Sequence, residues 1–415
     1  MKVLWITNVL LPPICKAMNV SCSFGGGWLY SSAKSLLENN NDLELAVASI
    51  YKGDELKKQQ IDNVIYYLIP LKGSNLKYQK QLEPIWKNMY SDFKPDIVHL
   101  HGTEYAHGLS FIKACPDART IVSIQGLVSV IARYYQAGIS NKELFKSLPI
   151  RSLFKRDTIW ELQKQFEIRG KIEEDIIRNV DYVIGRTSWD KSHTLAINPN
   201  LHYFYCGETL RDSFYTHEWS YDKCEPYSIF VSQAGYPIKG LHQVLKAMPF
   251  VLTKYPDAKI YVAGNNIINN NTLSKKIRES HYAKYIRVLI DKLSLHGRVV
   301  FTESLNEKQI CDRYLKSNVF VNASSIENSP NSLAEALIMG VPSLSSYVGG
   351  AVDMMKGNEA YLYRYEEYEM LAQKICYLFK FSDKIYQNTA VVAEMFDKTN
   401  NKSSLLKIYE EVYRK

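Results

Sequence analysis

The sequence predicts an α/β protein made of two doubly wound, parallel-sheet domains in series. Three observations carry this. Short continuous apolar runs alternate with longer helical patterns, as expected of parallel strands covered on both faces and joined by right-handed crossover helices. The alternation pauses at a polar and aromatic stretch, RDSFYTHEWSYDKCEPYS (211–228), and then begins again. The chain has 415 residues, 46% of them hydrophobic, which is more than one core normally holds.

The first half opens on KVLWIT (2–7). The surrounding MKVLWITNVLLPPICKA resembles a secretory leader, but Asn8 and the Pro12-Pro13 pair interrupt it and one lysine is a thin basic region. A buried first strand accounts for it better. A long loop leads to a helix near 27–39, and further strands are expected at LELAVASI (43–50), VIYYLIPL (64–71), DIVHLHG (96–102), TIVSIQGL (120–127), DYVIGRT (181–187) and HYFYCGE (202–208). With 211–228 read as an interdomain linker, the second half runs IFVSQ (229–233), a helix over 240–254, AKIYVAG (258–264), a helix near 281–293, RVVFTES (298–304), a helix near 306–316, NVFVNAS (318–324), a helix from 332, and VPSLSSYVGG (341–350); helices close the chain.

Composition excludes several classes. The net charge of +8 divides evenly, +4 through residue 210 and +4 after it, so neither half has the charge concentration of a nucleic-acid module. No apolar run approaches the length of a membrane-spanning helix. Seven cysteines, at 15, 22, 115, 206, 224, 311 and 376, include no Cys-x-x-Cys pair, which predicts reduced thiols in a cytoplasmic protein and no structural zinc.

In open parallel sheets, ligands sit beyond the carboxyl ends of the strands, so the post-strand residues are the candidates for chemistry. After the first strand, Gly25, Gly26 and Gly27 enter a helix, where backbone N–H groups can approach an anionic ligand; the dinucleotide fingerprint Gly-x-Gly-x-x-Gly is absent there. After the fourth main strand come His99, His101, Glu104 and His107, with His99 and His101 on one face. A buried hydrogen-bonded pair is the ordinary reading of such a His-x-His.

In the second half, SQAGYPIKGL sets Lys239 just before a helix, either as an exposed loop lysine or as an ammonium beside a helix N-terminus, where a phosphate is attracted twice. Residues 327–337, ENSPNSLAEAL, bracket a helix start with Glu327 and Glu335, seven residues lying between them. Ser332 and Glu335 fit a capping box. Alternatively, the N–H groups of Asn331, Ser332 and Leu333 form an anion seat for a diphosphate. In that case Glu335 accepts the vicinal hydroxyls of a ribose, and Glu327 faces the group at the other end of the diphosphate. A nucleotide-sugar has that shape.

Glu327 and Glu335 at this spacing, SLAEALIMGVP with its trailing YVGG, KGL at Lys239, the glycine-rich first loop and KPDIVHLHG together resemble a retaining glycosyltransferase of the GT-B fold, glycosyltransferase family 4. The motifs occur in the family's order over nearly the whole chain. ENSPNS, YPIKGL, SIQGL and GRTSWD are similar to bacterial enzymes of capsule, exopolysaccharide or O-antigen assembly.

The resemblance implies two Rossmann-like domains facing across a cleft: an acceptor-binding domain (1–212), a nucleotide-sugar domain (213–395) and a last helix (396–415) returning to the first. It implies transfer of a sugar from a UDP- or GDP-linked donor to a hydroxyl of a lipid-linked saccharide. The implied enzyme needs no metal or other cofactor, and the absence of Asp-x-Asp agrees. Glu327 would lie near the donor sugar, Glu335 would hold the ribose, and Lys239 would neutralise the diphosphate. Two positions depart from the family. Ser232-Gln233 stands where a Gly-Arg pair supplies a second phosphate charge, for which Arg186 is a candidate substitute. Gln125 stands where many members carry a histidine, leaving His101, Glu104, Gln125 and Arg133 as acceptor-side candidates, with His101 the candidate for catalysis. The loss of the Arg and the His also leaves open a non-catalytic partner subunit, and the fold leaves open a nucleotide-sugar epimerase.

Segment 142–171 holds eight basic and four acidic residues interleaved with Phe145, Leu148, Leu153, Phe154 and Trp160. It reads either as an amphipathic contact with the anionic inner face of the plasma membrane or as helices packing their aromatics on the first domain.

Overall fold

The computed structural model describes residues 1–20, 27–38, 40, 42–268 and 279–415. They divide into two compact units. One comprises Met1–Val130, Gln165–Thr209 and Glu394–Lys415, the other Ile131–Lys164 and Leu210–Ala393. Gly26 lies outside the described residues, and Gly27 is the first residue of the helix Gly27–Leu37.

The first unit is built on an eight-stranded sheet: β1 (Lys2–Thr7), β2 (Glu44–Tyr51), β3 (Lys57–Ile61), β4 (Val64–Pro70), β5 (Ile97–His101), β6 (Thr120–Ser123), β7 (Tyr182–Gly185) and β8 (His202–Tyr205), in the order β3-β4-β2-β1-β5-β6-β7-β8. Central β1 pairs in parallel with β2 and β5, Val3 standing opposite Leu45 and Ile97. Leu4 and Ile6 enter one core with Val98, Leu100 and Trp86. Val3 and Trp5 enter the other with Leu45, Val47, Ile408 and Tyr409. Burial on both faces is the reason KVLWIT is apolar without alternation. The helix Lys398–Arg414 supplies Tyr409, whose hydroxyl accepts from the Trp5 indole at 2.9 Å. Strand β3, KKQQI, has no apolar period and was not expected; it pairs antiparallel with β4 through a two-residue turn at Asp62 (φ 50°), a hairpin geometry that Asp tolerates.

The second unit's sheet is β11-β10-β9-β12-β13-β14, parallel throughout, from β9 (Ser228–Val231), β10 (Lys259–Val262), β11 (Val299–Phe301), β12 (Val319–Asn322), β13 (Ser343–Ser346) and β14 (Leu362–Tyr363). Phe230 and Phe320 of this sheet are fully buried, and so is Tyr314 of the helix Glu307–Leu315, whose ring packs on Phe230 at 4.9 Å.

Three expectations need correction. The stretch 211–228 is no free linker: Phe214 is fully buried, the Trp219 N–H donates to Met339 O at 2.8 Å, and its indole donates to Ser317 O at 2.7 Å. Segment 142–171 is neither one amphipathic helix nor a cover for the first unit's core. It forms Asn141–Lys146, Ile150–Lys155 and the start of Ile159–Arg178, broken at Pro149, which is restricted at φ, and at left-handed Arg156, and residues 131–164 belong to the second unit. Cys15 is disulfide-bonded, against the expectation of reduced thiols, while Cys115, Cys206, Cys224, Cys311 and Cys376 are free. Among the described residues no helix is long and apolar enough to cross a membrane.

Candidate active site

In the second unit, Lys239 follows β9 and Glu327 follows β12, and the helix that carries Glu335 begins four residues after Glu327. Lys239 closes the 3-10 turn Pro237–Lys239 after β9. Gly240 follows at φ +68°, and a Cβ there would stand 1.7 Å from Ala323 O, so only glycine allows this turn to lie against the loop after β12. The Ser325 N–H donates to Ile238 O at 2.7 Å across the same junction.

Lys239 is ion-paired with Glu327, whose Oε1 also accepts from Ser324 Oγ at 2.7 Å. Burial opposes the ammonium charge, but the Glu327 carboxylate, aided by Tyr236, more than offsets it and raises the Lys239 pKa. The Glu327 carbonyl accepts the Gly350 N–H at 3.0 Å, and Gly349 packs so closely there that a Cβ would stand 1.9 Å from it. That close approach is the structural use of the YVGG glycines.

The helix Asn331–Ile338 has Pro330 as its N-cap, with no side-chain capping bond. This overturns the capping box. Ser332 lies inside the helix, and Glu335, its fifth residue, turns to other partners. The Pro330 carbonyl takes the Leu333 N–H at 3.0 Å, which contracts the expected anion seat to the N–H groups of Asn331 and Ser332. Asn331 Oδ1 is buried there without a hydrogen-bond partner among the described residues. Buried Glu335 accepts from Arg211 Nη2 at 3.2 Å and from the Tyr314 hydroxyl at 3.1 Å. Burial raises its carboxyl to about 7, against the lowering effect of Arg211 and Tyr314. Neither partner was foreseen. A lone arginine in a polar stretch and a core tyrosine on the helix Glu307–Leu315 have no sequence spacing that links them to Glu335. Arg133, a candidate from the sequence, is exposed on the turn Ala132–Tyr134 of this unit, whose Tyr134 carbonyl accepts from Ser325 Oγ at 3.2 Å.

In the first unit, His99, His101, Ser123, Gln125, Arg186 and Glu208 line a small cavity of about 70 Å³. His99 bonds Tyr409 and Ser123, both at 2.6 Å, the structural pairing expected of a strand histidine. The His101 ring lies 3.9 Å from the His99 ring, and burial, then His99, lower its pKa well below the ordinary value, which keeps it neutral. The Arg186 guanidinium is spent inside the unit, on Glu208 at 2.6 Å, Ile124 O at 2.8 Å and Gln125 Oε1 at 3.2 Å. Glu104 is half-buried and accepts from Asn8 at 3.1 Å; burial raises its pKa.

The family model described as Glycosyl transferases group 1 matches residues 216–389. The Bacillus subtilis (strain 168) protein named "Putative glycosyltransferase YtcC" is 29% identical over 122 residues, 29% of this chain and 28% of its own length. Sucrose-phosphate synthase from Thermosynechococcus elongatus superposes with a TM-score of 0.68 at 14% identity, covering 100% of this chain and 99% of that one. Anabaena HepE in complex with UDP and glucose superposes with a TM-score of 0.64 at 13% identity, covering 99% of each chain. These likenesses show the fold, two Rossmann-like domains of GT-B type.

Proposed function

We propose that the chain is a retaining glycosyltransferase that moves a sugar from a UDP- or GDP-linked donor to a hydroxyl of a lipid-linked saccharide, in surface polysaccharide assembly at the inner face of the plasma membrane. The observation that carries this reading is the ion pair of Lys239, after β9, with Glu327, after β12, on the loop that leads into the helix Asn331–Ile338, which carries Glu335, inside the matched region. That one relative in fold binds UDP and glucose supports the donor class.

The roles follow from charge. The sugar–oxygen bond to the diphosphate breaks and leaves negative charge on the phosphate. Lys239 and the N–H groups of Asn331 and Ser332 stabilise that charge, usually the largest catalytic contribution, with no metal required. The acceptor oxygen bonds to the anomeric carbon on the face the phosphate leaves, and its proton passes to a phosphate oxygen. Glu327 lies beside the donor sugar, Glu335 accepts the ribose hydroxyls, and neutral His101 is a hydrogen-bonding group on the acceptor side. Phe145, Ile150, Leu153 and Phe154 are exposed, Phe154 by 85%, among exposed Lys142, Lys146, Lys155 and Arg156. Apolar side chains framed by cations suit an anionic bilayer.

The test is incubation with UDP- and GDP-sugars, with and without a saccharide acceptor, followed by NMR of the anomeric proton. The expected result is an acceptor-dependent product of retained configuration, insensitive to EDTA, with slow hydrolysis at most when acceptor is omitted. A new sugar nucleotide without acceptor would identify an epimerase, and complete inertness a non-catalytic partner subunit.

A further inference from the structure

Glu335 faces one cation, one hydroxyl and one further acid. Arg211 reaches it from the residue before the turn Asp212–Tyr215, and the helix Glu307–Leu315 presents Tyr314, Cys311 and Glu307. The Arg211 side chain is 38% exposed where that of Glu335 is 9% exposed, so the guanidinium spans the inside and outside of the site. It lies over the Phe214 ring, 4.9 Å from its centroid, and so is held from below by a buried aromatic.

Tyr314 cannot settle the charge of Glu335. Its hydroxyl has one proton and two acceptors within reach, Ser332 O at 2.9 Å and Glu335 Oε2 at 3.1 Å. If Glu335 is protonated, it donates to the Tyr314 oxygen while Tyr314 donates to Ser332, and every group is satisfied. If Glu335 is ionised, Tyr314 must divide its proton. Glu307 adds like-charge repulsion. Arg211 is thus the cation that favours the ionised form at this position. A carboxylate has about four lone-pair sites. Arg211 and Tyr314 occupy two, which leaves one on each oxygen for two neighbouring hydroxyls.

We propose that Arg211 is a positioning residue for the nucleoside ribose: its ion pair with Glu335 favours the acceptor-only form of that carboxyl, which receives both ribose hydroxyls. This rests on the reading of Glu335 as the ribose-binding acid. Arg211 acts through Glu335 and need not touch the donor, so its removal is repaired by raising the pH.

The experiment is calorimetric titration of the full chain with UDP-, GDP- and ADP-glucose between about pH 6 and 8.5, for the wild type and for Arg211→Gln, Arg211→Lys and Glu335→Gln. Wild-type affinity rises with pH through about 7. Arg211→Gln moves that midpoint up by about one pH unit, which at neutral pH weakens binding up to about tenfold, and the loss shrinks at the alkaline end. Arg211→Lys restores the wild-type profile, and Glu335→Gln binds weakly with no pH dependence. A loss in Arg211→Gln that is equal at every pH, or no loss, overturns the role of Arg211 while a weakened Glu335→Gln leaves the ribose reading standing. Wild-type affinity in Glu335→Gln, or no binding of any of the three donors to the wild type, overturns the ribose reading and this inference with it.

Discussion

Two carboxylate–guanidinium pairs, one in each unit, look alike in a list of distances and differ in access to water. Arg186–Glu208 is sealed, with side chains 6% and 9% exposed, and its guanidinium is further consumed by the backbone around Gln125. Arg211–Glu335 has an equally buried acid but a cation open to solvent. A sealed pair contributes little net stability, yet breaking it is costly, because one charge is left without a partner or water. A half-open pair can exchange partners. The difference separates a fold element from the proposed ribose-binding element, and the following experiments act on it.

The largest effect is expected on the sealed side. Glu208→Ala leaves the Arg186 guanidinium uncompensated and should destabilise the chain by about 3–5 kcal/mol, read as a fall in melting temperature, with donor affinity unchanged in the protein that remains folded. Unchanged stability would mean that water reaches Arg186 and that the contrast is false. Next comes Lys239→Ala, which should reduce kcat roughly a hundredfold or more in the protein that remains folded, by removing charge stabilisation from the leaving diphosphate, with a smaller fall in melting temperature than Glu208→Ala because Glu327 loses its partner. Turnover at the wild-type rate would refute its assignment.

Glu335→Ala should weaken donor binding by about 1–3 kcal/mol, the cost of orphaned polar groups, and a 2′-deoxyribose donor should be less sensitive to the substitution. A second readout is stability against pH. Burial raises this carboxyl from 4.5 to about 7, so the folded chain keeps a proton that the unfolded chain releases above 4.5. The stability this lends is complete below 4.5 and lost as pH rises through about 7. Glu335→Gln should flatten that part of a melting-temperature profile; an unchanged slope would mean that the acid is not buried in solution.

The smallest effect concerns the exposed helices. Each basic residue near an anionic bilayer is worth on the order of 1 kcal/mol. The wild type should therefore sediment with anionic liposomes at low salt, and a variant with Lys146, Lys155 and Arg156 changed to Gln and Phe154 to Ser should stay in the supernatant. Equal sedimentation of the two would remove the membrane from the proposal.

What the sequence made legible follows from the range of the interactions. Strands β1, β5, β9 and β12 were readable because burial on both faces leaves a continuous apolar run. Lys239 and Glu327 were readable as candidates because they follow strand ends, where open parallel sheets offer side chains to ligands, and Glu335 because of its spacing from Glu327. Strand β3, with no apolar face, and β14, with two residues, gave no pattern. The helix start moved from Ser332 to Asn331 because Pro330 fills the N-cap, where a capping rule looks for a side-chain acceptor. Segment 131–164 shows apolar spacing but nothing of which core receives it. Arg211, Tyr314 and Glu208 act through partners that lie 124, 21 and 22 residues away, beyond any local pattern.

The close approach of Gly240 to Ala323, with the Ser325 amide donating across it, has a consequence for how the site breathes. The loop with the cation and the loop with the carboxylate are stitched through their main chains, so one cannot move away without breaking the Ser325 amide bond. Deuterium uptake at the single Ser325 amide would then report separation of the two loops, and the proposed donor, by holding Lys239 and Glu327 in place, would register there as slowed exchange without any label attached to the protein.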